Sequence, residues 1–129
     1  MRRRDFLKTA AAVAAPLVIS RHVLSAPGKP GANDRIRVGL LGLGKRMPGL
    51  VRALHAMAGQ NVQIAAICDC DEKKLESATN LYPELEGKRL LRYTEMREMF
   101  DDKSIDAVSN GLGDRWHALG SVMAAKAGK

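Results

Sequence analysis

From residue 36 onward the chain alternates short apolar runs with stretches whose apolar side chains recur every three or four residues. Ile36, Val38, Leu40 and Leu41 form the first run and read as a short buried strand. Leu50, Val51, Leu54 and Met57 follow at helical spacing and predict a helix ending near Gly59. Asn61–Cys70 is the second run. Its Val62, Ile64, Ala65, Ala66 and Ile67 are nearly continuously apolar, as in a parallel strand buried on both faces. Glu72–Leu81 predicts a helix capped by Asp71, and Tyr82–Lys88, with Pro83 and Gly87, a loop. Leu90–Tyr93 predicts a short third strand. Thr94 is the expected cap of a helix over Glu95–Phe100, with Met96, Met99 and Phe100 facing inward as core filler. Ser104–Ser109 predicts a fourth strand with Ile105, Ala107 and Val108 buried, and a last helix runs from about Trp116 to Lys126. Strands alternating with helices predict an α/β fold on a parallel sheet.

Between the first strand and the first helix lies Gly42-Leu43-Gly44-Lys45-Arg46-Met47. Strand, glycine turn and helix are the opening of a Rossmann-type βαβ unit that binds dinucleotides. The chemistry needs glycine twice. The turn is too sharp for a Cβ, and the backbone must come close to a pyrophosphate that sits on free N–H groups at the helix N-terminus. The third glycine of G-x-G-x-x-G would fall at position 47, where Met47 stands, so a slightly displaced helix is expected. Lys45 and Arg46 partly compensate by placing positive charge beside the phosphates. Asp69 ends the second apolar run, 25 residues after Gly44. That is near the spacing of the acid that accepts hydrogen bonds from the adenosine ribose. Its charge would repel a 2′-phosphate, so the expected cofactor is NAD, with NADP the alternative. Asn110-Gly111-Leu112-Gly113-Asp114 forms a loop at the C-terminal end of the fourth strand, where ligands bind in open parallel sheets.

Composition refines this picture at the N-terminus. The net charge is +7, but five basic side chains against Asp5 place +4 in the first 26 residues. The remaining +3 is scattered, which argues against nucleic acid. Residues 1–26 have a basic start, an apolar alanine-rich middle over Thr9–Ile19 and the ending Leu24-Ser25-Ala26, the order of a secretory signal. Arg3-Arg4 followed by Asp5-Phe6-Leu7-Lys8 resembles the twin-arginine export signal. The apolar run, broken by Pro16, is short for a bilayer span of about 20 residues, so contact with the membrane is expected only during export to the periplasm. Residues 27–34, rich in Pro and Gly, read as a linker, and 35–129 as the folded domain. Cys68 and Cys70 flank one residue of an extended strand, too constrained for a disulfide and too few for a zinc site. Both are expected to be strand packing residues, and no metal is expected.

Three stretches together resemble the glucose–fructose oxidoreductase / inositol dehydrogenase / rhizopine catabolism (Gfo/Idh/MocA) family. They are Asn33–Gly44, Ala65–Asp69, and Ser104–Val108 followed by Asp114-Arg115-Trp116-His117-Ala118-Leu119. The resemblance implies a Rossmann domain that binds NAD or NADP. In the family this domain is followed by a substrate domain that acts on sugars or polyols and carries much of the oligomer interface. It implies that Gly42, Leu43, Gly44, Lys45 and Arg46 line the pyrophosphate. Asp69 would hold the adenosine ribose, and Gly111, Leu112 and His117 would lie near the nicotinamide half. The sequence departs from the family at Met47 and in the loop after the fourth strand, which usually reads Ala-Thr-Pro-Asn/Asp. The family's fifth strand, its Glu-Lys-Pro motif and its substrate domain are expected after residue 129. The expected catalytic set is therefore empty, since the remaining candidate base, His117, stands at a helix start where packing or capping roles are common. The alternatives to an oxidoreductase fragment are a non-catalytic dinucleotide-binding module and a truncated, inactive product.

Overall fold

The computed structural model describes Gly31 and residues 34–129, so the signal read over 1–26 and most of the linker over 27–34 lie outside the described residues. The elements are β1 (Ile36–Leu41), α1 (Met47–Ala56), β2 (Val62–Cys68), α2 (Glu72–Glu76), α3 (Ala78–Leu81), β3 (Leu91–Tyr93), α4 (Met96–Asp101), β4 (Ala107–Asn110) and α5 (Asp114–Lys126). Among the described residues the strands form one sheet in the order β3-β2-β1-β4, with every neighbouring pair parallel. Two strands lie to one side of β1 and one to the other. The chain therefore reverses its winding direction between β1 and β4, and a crevice opens at such a point.

Both faces of the sheet are covered, which is why β1 and β2 are apolar almost without interruption. On one face Leu40, Ile64 and Ile67 pack with Met47 and Val51 of α1, Leu75 of α2, Ala78 of α3, and Tyr82 and Leu85 beyond them. On the other, Leu41, Ala65, Ala66 and Cys68 pack with Met99 and Phe100 of α4, Ile105 and Ala124 of α5. Ala65 and Ala66 share a face because β2 carries a bulge there: Val38 pairs with Ile64 but Gly39 pairs with Ala66. The extra residue shifts the alternation by one, so that Ile67 and then Asp69 fall on the α1 side of the sheet. The ladder runs one residue past β2, with the Asp69 N–H donating to the Tyr93 carbonyl at 3.2 Å.

Met47 is accommodated against a residue that has no side chain, Gly111. The Met47 side chain is fully buried, and a Cβ added at Gly111 would lie 2.7 Å from its terminal methyl. The loop after β4 thus lacks a side chain at the place where the turn before α1 has a large one.

Several expected boundaries move. Ile36 is exposed at the outer end of β1, and Met57 falls beyond α1, which stops at Ala56. A short 3-10 turn over Ala58–Gln60 then leads to Asn61 in the left-handed region. The single helix expected over Glu72–Leu81 is two pieces. Ser77 Oγ donates to the Lys73 carbonyl at 2.7 Å, and this back-bonding breaks the helix at Ser77. Asp71 caps α2 as expected, accepting from the Lys73 N–H at 3.1 Å. α4 is capped by Glu95 rather than Thr94, because the longer carboxylate reaches the Arg97 N–H at 3.1 Å. β4 starts at Ala107, later than expected; Ile105 is buried ahead of it, while Ala107 and Val108 are only half-buried because β4 is an edge strand. Asp106 fixes the start of β4. Its carboxylate accepts from the Arg37 N–H at 2.7 Å, and its own N–H donates to the Arg37 carbonyl at 2.8 Å. Cys68 is a buried packing residue. Cys70 is exposed, because β2 ends before it.

The Tyr93 hydroxyl donates to the Asp102 carboxylate, joining β3 to the end of α4. Burial, then the hydrogen bond to Asp102, raises Tyr93 to about 12, and the same bond lowers Asp102 to about 2. Asp102 ordinarily titrates at 3.8, so its contribution is present above that pH and is lost as pH falls toward about 2. The Tyr93 contribution is present below pH 10.0 and is lost as pH rises toward about 12. Urea unfolding of wild type and Tyr93→Phe across pH is expected to show a stability gap that is widest at intermediate pH and narrows at both extremes. A pH-independent gap contradicts the assignment. Gly111→Ala is expected to cost about 1–3 kcal/mol from overpacking. Part of that cost is recovered in the Met47→Ala background, and a double-mutant cycle that shows no coupling contradicts the packing account.

Candidate functional site

The glycine turn and Asp69 meet at the C-terminal ends of β1 and β2. Gly42 has φ +82°, a conformation that side-chain-bearing residues rarely adopt, and a Cβ there would lie 3.0 Å from the Leu112 backbone nitrogen. Its N–H donates to the Cys68 carbonyl at 2.8 Å, while the Gly111 N–H donates to the Leu41 carbonyl at 2.7 Å. The turn is thus held on one side by the end of β2 and on the other by the loop after β4. Gly44 differs: a Cβ added there meets nothing closer than the Gly111 carbonyl at 3.9 Å, and its φ is not positive. Neither packing nor backbone conformation requires glycine at this position.

Asp69 is 8% exposed, so its charge needs partners. Oδ2 accepts from the Leu43 N–H at 2.7 Å, and Oδ1 accepts from the Asp71 N–H at 3.0 Å. Two longer contacts reach it: Lys74 Nζ at 3.5 Å from Oδ2 and Cys70 Sγ at 3.9 Å from Oδ1. A carboxylate offers about four acceptor positions. The two backbone donors are short and built into the fold, and the other two contacts are long.

Leu43 is buried beneath the turn, whereas Lys45 and Arg46 are exposed in front of it. Among the described residues the N–H groups of Gly44, Lys45 and Arg46 have no hydrogen-bond acceptor, and no side chain caps α1. The start of that helix therefore presents unpaired donors and its partial positive charge outward.

On the other side of Asp69 lies a cavity of about 290 Å³. Leu41, Asp69, Cys70, Glu95, Leu112 and Trp116 are among its lining residues. The structure brings Gly42, Leu43, Gly44, Asp69, Gly111 and Leu112 together. His117 is not among the residues that line this cavity. It is exposed in the first turn of α5, with Nδ1 3.4 Å from the Leu112 carbonyl. Burial and the charge of Asp69 push the Cys68 thiol up to about 12, which keeps it an inert packing group.

The sequence reading does not reach Lys74, the Glu95–Arg97 pair or Trp116. The strand-end rule would have marked Thr94–Arg97, which follow β3 directly. Asn110 is also missed. Its side chain accepts from the Leu112 N–H at 3.0 Å and donates to the His117 carbonyl at 2.9 Å, and so shapes the loop. An Asn before a Gly at a strand end is the available signal, since its side chain can imitate a turn of the main chain.

Comparison with known proteins bears on the fold and on the N-terminal segment. The family described as TAT (twin-arginine translocation) pathway signal sequence matches residues 1–20, so the chain carries an export signal for the twin-arginine pathway. A glycosyl hydrolase family 109 protein of Shewanella pealeana is 30% identical over 148 aligned positions, covering all of this chain but 32% of the relative. The chain thus spans about a third of the length of that curated relative. The structure of the WlbA dehydrogenase from Bordetella pertussis, in complex with NADH and UDP-GlcNAcA, matches with a TM-score of 0.61 at 22% identity. The match covers 74% of this chain and 27% of that one. A mutant of KijD10, a 3-ketoreductase from Actinomadura kijaniata, solved in complex with TDP-benzene and NADP, matches with a TM-score of 0.60 at 22% identity, over 74% and 28% of the two chains. These likenesses establish a Rossmann-type fold for this chain behind a twin-arginine signal.

Proposed function

We propose that this chain is the NAD(P)-binding N-terminal part of an exported oxidoreductase that acts on sugars or polyols by hydride transfer. The observation that carries the reading is the buried Asp69 carboxylate hydrogen-bonded to the Leu43 N–H of the glycine turn, at the C-terminal edge of two parallel strands. The residues present fit the cofactor. Gly44 leaves the front of the turn open, and the N–H groups of residues 44–46 are unpaired there. Gly42, Leu43, Gly44, Lys45 and Arg46 would hold the pyrophosphate, Asp69 the adenosine ribose, and Gly111, Leu112 and His117 the nicotinamide half. When bound, the nicotinamide supplies a carbon that accepts or gives a hydride. What the chain contributes is binding and orientation. The group that takes the substrate's hydroxyl proton is assigned to none of its residues.

A second reading concerns the reaction. The curated relative named above is called a glycosyl hydrolase family 109 protein. Some glycosidases depend on NAD instead of a carboxylate pair. Glycoside cleavage that uses the same cofactor site is therefore the alternative. Release of an aryl leaving group from a glycoside panel, only when NAD is present, separates it from simple polyol oxidation.

The chain has one tryptophan, Trp116, and it lines the cavity beside Asp69. Titration with NADH is expected to give saturable energy transfer from Trp116 to the dihydronicotinamide, reversed by competing ADP-ribose. Gly44→Ala is expected to weaken binding about tenfold or more while shifting stability by less than about 0.5 kcal/mol, because only a bound phosphate meets the new Cβ. Wild-type affinity in Gly44→Ala contradicts the placement of the pyrophosphate.

A further inference from the structure

The ion pair at the ribose position carries an inference about cofactor choice that rests on the function proposed above. Asp69 alone would make the site strongly selective for NAD, because its charge repels a 2′-phosphate. Lys74, on α2 five residues later, sets its ammonium 3.5 Å from Asp69 Oδ2, with its side chain 41% exposed and that of Asp69 7%. Leu43 holds the same oxygen at 2.7 Å, so the carboxylate stays in place when Lys74 moves. The other charges on the cavity wall are likewise paired, with Arg97 Nη1 2.9 Å from Glu95 Oε2. Lys74 stands outside the residues that line the wall, but its ammonium offsets the charge that Asp69 places there.

We infer that Lys74 is a specificity-determining residue that offsets the charge of Asp69 and lets the site accept a 2′-phosphate as well as a 2′-hydroxyl. With NAD, the ribose hydroxyls replace the long Lys74 contact on Asp69 and the ammonium moves to solvent. With NADP, the ammonium turns from the carboxylate to the phosphate. Lysine suits this exchange, since its charge sits on a flexible four-carbon stem and is not locked in a bidentate fork. The pair costs little to break, because the contact is long and the Lys74 side chain is 41% exposed.

The test is calorimetric titration of the full chain with NAD and with NADP, for wild type, Lys74→Gln and Lys74→Arg. Wild type is expected to bind the two within about tenfold of each other. Lys74→Gln is expected to weaken NADP by about fivefold, through loss of the ammonium that would meet the 2′-phosphate, and to leave NAD within about twofold. Lys74→Arg is expected to keep most of the NADP affinity. An unchanged NAD-to-NADP ratio in Lys74→Gln, with NAD still bound, overturns the role of Lys74 and leaves the cofactor reading intact. Failure of wild type to bind either dinucleotide overturns the cofactor reading, and with it this inference.

Discussion

The hydrogen bond from the Leu43 N–H to the Asp69 carboxylate, 2.7 Å long and buried, joins the parts that make this chain more than a small α/β sheet. It crosses from the turn after β1 to the residue that ends β2, and it holds the charge of Asp69 beside the start of α1. Without an acceptor the buried Leu43 N–H would cost about 1–3 kcal/mol in desolvation, and without donors the buried carboxylate would cost more. Each group makes the other tolerable. The donors of the turn at Gly42 and Leu43 are used within the fold, and those of residues 44–46 are not.

Two features of the backbone make this contact available. The bulge in β2 opposite Val38 and Gly39 shifts the strand's alternation, so that Ile67 enters the core on the α1 side and Asp69 follows it toward the turn. A regular strand would send Asp69 to the opposite face. The second feature is the exchange of bulk between Met47 and Gly111. Where a small residue is expected at the head of α1 the chain has a methionine, and where the loop after β4 is expected to carry Thr and Pro it has Gly111. The close approach of the Met47 methyl to Gly111 connects these two departures. They are one packing arrangement reached from two ends of the crevice.

Much of this was legible in the sequence, and the parts that were not have physical causes. The strands, their parallel order and the meeting of Asp69 with the glycine turn follow from apolar runs and spacing, which local pattern carries well. Helix ends did not follow. The break at Ser77 depends on whether a hydroxyl bonds back to a carbonyl four residues earlier, and the choice of Glu95 over Thr94 as a cap depends on side-chain reach. Cys70 reads as strand packing because it continues an apolar alternation, but β2 has ended by then. Trp116 and the Glu95–Arg97 pair are distant from Asp69 in sequence and meet it only across the cavity, so no local pattern announces them. Lys74 was within reach of a local reading, yet its pairing with Asp69 depends on how the chain turns into α2.

Amide hydrogen exchange at Leu43, followed by NMR in the wild-type chain and in Asp69→Ala where both are folded, addresses the central interaction most directly. If the carboxylate holds the turn, Leu43 is protected in wild type and exchanges about tenfold or more faster in Asp69→Ala, while Ala66 and Ile67 in β2 keep their protection. Equal protection of Leu43 in the two proteins would contradict the account.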